Sequence, residues 1–152
     1  MRVLVTGGAG FLGINLIRHL LARDCQVRNL DLLPFDYPEA PRIESVQGDI
    51  RDRATVDRCA AGMDAVVHCA AALPLYKPAE ILSTDVGGTR NVVESAKAAG
   101  VARCVQISST AVYGIPDHHP LVETDALVGV GHYGKAKIAA EGICVAARAP
   151  GF

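Results

Sequence analysis

Two groups of residues in this sequence have the types and the spacing for chemistry. Tyr133 and Lys137 are four apart in a stretch of helical periodicity, so they share a face, with Cβ atoms roughly 6 Å apart. A free phenol titrates near about 10, high for a general base, and an ammonium beside it favours the phenolate. Ser109 follows an apolar run, Cys104 to Ile107, that reads as a strand. A hydroxyl at the carboxyl end of a parallel strand is placed to hydrogen-bond a substrate oxygen and steady charge building there. The trio suits proton transfer to and from a substrate hydroxyl.

The second group is Thr6-Gly7-Gly8-Ala9-Gly10-Phe11-Leu12-Gly13. Before it lies the apolar run Val3-Leu4-Val5. After it, Phe11, Leu12, Ile14, Leu16, Ile17, Leu20 and Leu21 recur as one broad helix face. Strand, glycine turn and helix together make a phosphate-binding context. A diphosphate needs bare backbone N–H groups and the positive end of a helix dipole. A side chain at Gly7 or Gly10 would hold the backbone away, and one at Gly13 would push the helix off the strand. Two registers fit, Gly8-x-Gly10-x-x-Gly13 and Gly7-x-x-Gly10-x-x-Gly13, and the glycines alone do not choose between them. Asp31 lies 18 residues beyond Gly13 at the end of a second strand, Gln26 to Leu30. A carboxylate there accepts both adenosine ribose hydroxyls and repels a 2′-phosphate, and no Arg follows closely, which favours NAD over NADP.

The elements that must position these groups alternate. Leu32 to Arg42, with Pro34, Pro38 and Pro41, reads as a loop. Ile43 to Gln47 reads as a third strand, and Arg51 to Ala61 as a short helix with Asp52 at its N-cap. Ala65 to His68 is a fourth strand running into small residues, Cys69 to Ala72. His68 reads as a strand-end residue bonded to a neighbouring loop. Pro78 opens a helix to about Ala99 whose buried face is Ile81, Leu82, Val86, Val92, Val93 and Ala96. Gly87 and Gly88 interrupt it and suggest close packing against the glycine turn or a neighbouring helix, and Gly100 stops it. His118 and His119 point different ways and read as solvent-facing, with no metal site expected. A last helix runs from Tyr133 to about Ala147. The class is α/β with a parallel, doubly wound sheet in one dinucleotide-binding domain over residues 1–152.

Composition sets the limits. Half of the 152 residues are hydrophobic and a fifth charged, as in a soluble globular domain. Interspersed charges with a net of −1 argue against nucleic-acid and acidic-membrane partners. No apolar run is long enough for a bilayer, and with a strand from the first few residues no targeting segment is expected. Cys25, Cys59, Cys69, Cys104 and Cys144 are scattered without C-x-x-C spacing, as expected of free, mostly buried thiols in the cytoplasm.

Five motifs in order resemble the extended short-chain dehydrogenase/reductase family, the NAD-dependent epimerase/dehydratase group. They are Thr6 to Gly13; Gly48-Asp49-Ile50; Val67-His68-x-Ala70-Ala71; Gly88-Thr89-x-Asn91; and Ser108 to Gly114 with Tyr133-Gly-Lys-x-Lys137. The resemblance covers essentially the whole chain and implies a Rossmann-like fold. It implies that Gly7, Gly10, Phe11 and Leu12 hold the diphosphate of NAD, with Gly13 among the cofactor-binding residues, and that Asp31 holds its adenosine ribose. Asp49 and Ile50 would flank the adenine, and Cys69, Ala70 and Ala71 would line the groove. Tyr133 would be the base, with Lys137 lowering its pKa and bonding the nicotinamide ribose. Ser109 would hold the substrate hydroxyl, with Thr110 in the substrate pocket.

Two departures matter. The family usually has Asn where this chain has Asp85, so a bond that an amide donates there is lost or replaced. The similar dehydratases carry Asp-Glu where this chain has Thr110-Ala111, which argues against dehydration. The resemblance points to hydride transfer at the carbinol of a nucleotide sugar, in the manner of an epimerase. The alternatives are a hydroxysteroid-type dehydrogenase, a carbonyl reductase, or a dinucleotide-binding module without turnover. Members of the family run to about twice this length and add a substrate lobe. The expectation is therefore a truncated chain whose open fifth strand is covered by itself or by another copy, a homo-oligomer.

Overall fold

In β1 (Arg2–Thr6), Val3 and Val5 face one side of the sheet and Leu4 the other, all buried. A strand buried on both faces belongs at the centre of a parallel sheet, and β1 is central in the computed structural model, which describes residues 1–152. It pairs in parallel with β2 (Gln26–Asp31) and with β4 (Ala65–His68). The edges are β3 (Glu44–Gln47) on β2 and β5 (Arg103–Gln106) on β4, giving the order β3-β2-β1-β4-β5.

Helices cover both faces. α1 (Phe11–Leu21) buries Ile14, Ile17, Leu20 and Leu21 against Val3, Val5 and Val27. On the other face Val56, Cys59 and Ala60 of α2 (Arg53–Ala60) meet Leu4, Leu30 and Val66. Asp52 caps α2 as expected, accepting from the Ala54 amide at 3.1 Å. The long helix after Pro78 has three parts: α3 (Pro78–Ile81), a π-helical segment (Leu82–Gly88) and α4 (Thr89–Ala98). α4 adds Val92 and Ala96 to the α2 side of the core. A 3-10 turn, Thr110–Tyr113, precedes α5 (Gly131–Ala147), which packs on α4 and on the π segment.

Several expectations change. Phe11 and Leu12 are 89% and 47% exposed and leave the buried face of α1. Leu82 is 62% exposed, because the wider π turn shifts the helix out of the regular phase. A Cβ at Gly88 would lie 2.5 Å from the Ile50 side chain, so its close packing is to the segment after β3, while Gly87 faces open space. The proline-rich loop holds a 3-10 turn, Ala40–Arg42, and sends Phe35 into the α1 side of the core. Only Cys59 is fully buried; the other four cysteines are half-buried, and all five are free. His118 and His119 are exposed, and His118 bonds Asp117 and Asp125. No helix is long and apolar enough to cross a membrane.

Candidate active site

The carboxyl ends of all five strands open onto one groove of about 680 Å³. The chain order reverses between β1 and β4, the switch point where open α/β sheets bind ligands. Gly7, Gly10, Phe11, Leu12, Gly13, Asp31, Asp49, Ile50, Cys69, Ala70, Ala71, Tyr133 and Lys137 all line it. Ser109 and Thr110 do not; the groove wall carries Ser108 instead.

The glycine turn explains its own composition. Gly7 has φ +74°, and a Cβ on it would lie 2.7 Å from the Ala70 amide nitrogen. Gly8 is buried behind the turn, its N–H donating to Asn29 Oδ1 at 3.0 Å. The groove-facing register is therefore Gly7-x-x-Gly10-x-x-Gly13, while Gly8 is required by Asn29, whose Oδ1 a Cβ would meet at 2.1 Å. A Cβ at Gly13 would lie 2.2 Å from the Gly7 carbonyl oxygen, in the backbone that runs straight out of β1, so a side chain there would force the helix away from it. The first turn of α1 has no acidic residue and no side-chain cap, which leaves its amide dipoles facing the groove uncompensated.

Asp31 accepts from the Ala9 amide through Oδ2 and from the Leu33 amide through Oδ1, each at 2.9 Å. Tyr37 donates to the Ala9 carbonyl at 2.9 Å and braces the same turn. Asp49 pairs with Arg51, whose guanidinium holds its carboxyl below the usual range. The bare turn, the open helix end and the carboxylate fit a dinucleotide diphosphate and ribose.

At the other end Lys137 Nζ sits 5.6 Å from the Tyr133 ring centroid. Lys137 is buried and donates to the Ile107 carbonyl at 3.3 Å. Burial pushes its pKa down, opposed by the charge of Asp85. Burial likewise pushes the Cys69 thiol up to about 11, which makes it an inert wall. Ser109 accepts from the Ala111 amide at 3.2 Å and so caps the 3-10 turn, half-buried beside the groove. Ser108 Oγ bonds Glu141 of α5. Where the resemblance implies Asn, Asp85 keeps an acceptor role towards the Ala72 amide at 2.6 Å, and its second oxygen has no partner.

His68 is fully buried and bonds side chains of β1 and α4 rather than a loop. Thr89 Oγ1 donates to the Asp85 carbonyl, so it accepts from His68 Nε2 at 3.1 Å, and Nδ1 accepts from Thr6 Oγ1 at 2.6 Å. This neutral histidine ties three elements together beneath the groove.

Sequence reasoning missed Asn29, Tyr37, Leu32, Leu33, Leu73 and Tyr76. The first two brace the glycine turn and the rest line the groove. Only Leu32 and Leu33 carried a signal, as consecutive apolar residues directly after the strand-end Asp31.

A parallel sheet with a glycine turn and a tyrosine–lysine pair at its switch point defines a dinucleotide-binding fold of the short-chain dehydrogenase/reductase kind. The pattern of the NAD dependent epimerase/dehydratase family matches residues 3–151, and the chain belongs to that family. It is 40% identical over 119 residues to a 3-beta-hydroxysteroid dehydrogenase of Mycolicibacterium neoaurum, covering 73% of this chain and 32% of that protein. It is 34% identical over 151 residues to a UDP-glucose 4-epimerase of Lacticaseibacillus casei, covering 94% of this chain and 46% of that protein. The fold superposes with a TM-score of 0.88 and 30% identity on a short-chain dehydrogenase/reductase superfamily protein of Agrobacterium tumefaciens solved with NAD bound, over 95% of this chain and 44% of that one. The chain thus spans less than half the length of each of these three proteins.

Proposed function

We propose that this chain binds NAD along the groove and forms the cofactor-binding, base-bearing part of an oxidoreductase acting at a carbinol carbon. The observation that carries the reading is the continuity of one groove from Gly7, Gly10 and Asp31 to Tyr133 and Lys137. NAD, when bound, supplies a hydride acceptor and donor. Tyr133 takes the hydroxyl proton of the substrate and returns it. Lys137 provides the positive charge that favours loss of the phenol proton and bonds the nicotinamide ribose. Ser109 holds the substrate oxygen, with Thr110, exposed at the start of the 3-10 turn, on the substrate side.

The substrate we assign is a nucleotide sugar, with hydride leaving and returning as in an epimerase. The UDP-glucose 4-epimerase relative supports this, and the absence of carboxylates at Thr110-Ala111 speaks against dehydration. A hydroxysteroid-type dehydrogenase is the second reading, favoured by the apolar wall of Leu73, Tyr76 and Ile107 and by the steroid dehydrogenase relative. A second copy covering the open edge of β5 belongs to the same proposal, and a clean monomer in light scattering at high concentration removes it.

The test is a fluorescence titration with NADH joined to turnover assays on UDP- and GDP-sugars and a 3-hydroxysteroid. Tyr133→Phe is expected to lower turnover by about 100-fold or more while leaving NADH affinity nearly unchanged. Activity that survives this change overturns the base assignment. Binding by the unaltered chain without any turnover makes it a dinucleotide-binding module instead.

A further inference from the structure

Lys137 and Asp85 are both almost wholly buried, at 3% and 1% exposure, on elements packed against each other. Asp85 is fixed through one oxygen only. Oδ1 accepts from the Ala72 amide, whereas Oδ2, equally buried, meets no donor. Lys137 is short of partners too: three N–H groups face one protein acceptor, the Ile107 carbonyl.

An isolated buried ammonium gives up its proton and an isolated buried carboxylate takes one. Burial drives Lys137 down and Asp85 up, and the charge of each opposes that drift in the other. A neutral Lys137 would leave Tyr133 without a cation beside it. The charge state of this pair therefore decides what the groove can do.

Of the other titratable groups around Lys137, two carry no charge. The Cys69 thiol, pushed up to about 11, and His68, held down to about 3, are both neutral near pH 7. Tyr133 shares the lysine's helix and is the group the cation serves. Glu141, one turn further along α5, is a carboxylate, but it is engaged by Ser108 and its charge does not act on Lys137. Asp85 is what is left.

We propose that Asp85 is the buried counter-ion that keeps Lys137 protonated beside the Tyr133 ring. It is a positioning residue, outside the groove wall, and acts only through Lys137. The consequence for Tyr133 rests on the proposed function; the pairing itself does not.

The experiment reads ionisation without turnover. Carbon-13 at the lysine ε-position gives four signals, from Lys77, Lys97, Lys135 and Lys137, and the last is identified by its loss in Lys137→Met. In Asp85→Asn, which keeps the size and the acceptor for Ala72, the Lys137 midpoint is expected to fall by about one pH unit or more. Reciprocally, the Asp85 carboxyl midpoint is expected to rise by a similar amount in Lys137→Met. A Lys137 midpoint that stays put or rises overturns the proposal. Should Asp85→Asn not fold, the Lys137→Met titration decides alone, and an unmoved carboxyl overturns it. Both midpoints shifting in a chain that neither binds NADH nor turns over would sink the proposed function and leave the counter-ion standing.

Discussion

Asp31 has two structural duties beside the one proposed for it, since its oxygens already hold the Ala9 and Leu33 amides. Each oxygen has a lone pair left over, and in the proposed role a ribose hydroxyl donates to it while a 2′-phosphate is repelled. Hydrogen bonds to a charged group contribute about 1.5–3 kcal/mol each, so Asp31→Ala is expected to weaken NADH binding by roughly tenfold or more. NADPH has less to lose, and the preference between the two should narrow. Parallel fluorescence titrations check this, and an unaltered ratio refutes the ribose role. This residue was legible from its distance to the glycines. Ser109 was legible only as one of two adjacent serines, and that its neighbour Ser108 lines the groove was not, because both lie past the end of β5, where no strand period assigns a face.

Among the elements, α1 and α5 show how differently glycines behave in helices. Gly13 lies where α1 leaves the turn, and a Cβ there would overlap the Gly7 carbonyl and the Gly8 Cα. Backbone cannot step aside as a flexible side chain can, so Gly13→Ala is expected to cost about 3 kcal/mol, the upper end for overpacking, and to abolish NADH binding. Gly142 in α5 has nothing within 4 Å of a Cβ. Gly142→Ala is expected to stabilise the chain by about 0.5–1 kcal/mol, and urea unfolding of the two variants measures the contrast. The π segment was not legible: a regular helical period put Leu82 inside, whereas the contact of Gly88 with Ile50 and the burial of Asp85 are made with residues distant in the chain.

For the molecule as a whole, His68 couples stability to pH. Burial holds its pKa down to about 3, against an ordinary value of 6.5. Protonation would also put a second N–H against the Thr6 hydroxyl that now donates to it. The unfolded chain takes the proton below pH 6.5 and the folded chain does not, so stability is lost as pH falls from 6.5 towards 3. The loss is roughly 1.4 kcal/mol per pH unit within that window. Urea melts at pH 7.0, 6.0 and 5.0 check this, and His68→Gln is expected to flatten the slope even where it lowers stability at pH 7. An identical slope in the variant removes His68 as the cause.

The order of chemical parts along the chain, a glycine turn after a strand, an aspartate at the next strand's end and a phenol one helical turn from an ammonium, was set by the sequence alone. Neighbours in the chain determine turns, periods and shared faces. Tertiary structure decided which glycine of the Gly7-Gly8 pair faces the groove, that His68 is a neutral tie between β1 and α4, and that Asp85 lies buried with Lys137. Those outcomes depend on burial and on partners far away in sequence, such as Thr6 and His68 at a separation of 62 residues. No local pattern carries the desolvation that such contacts impose.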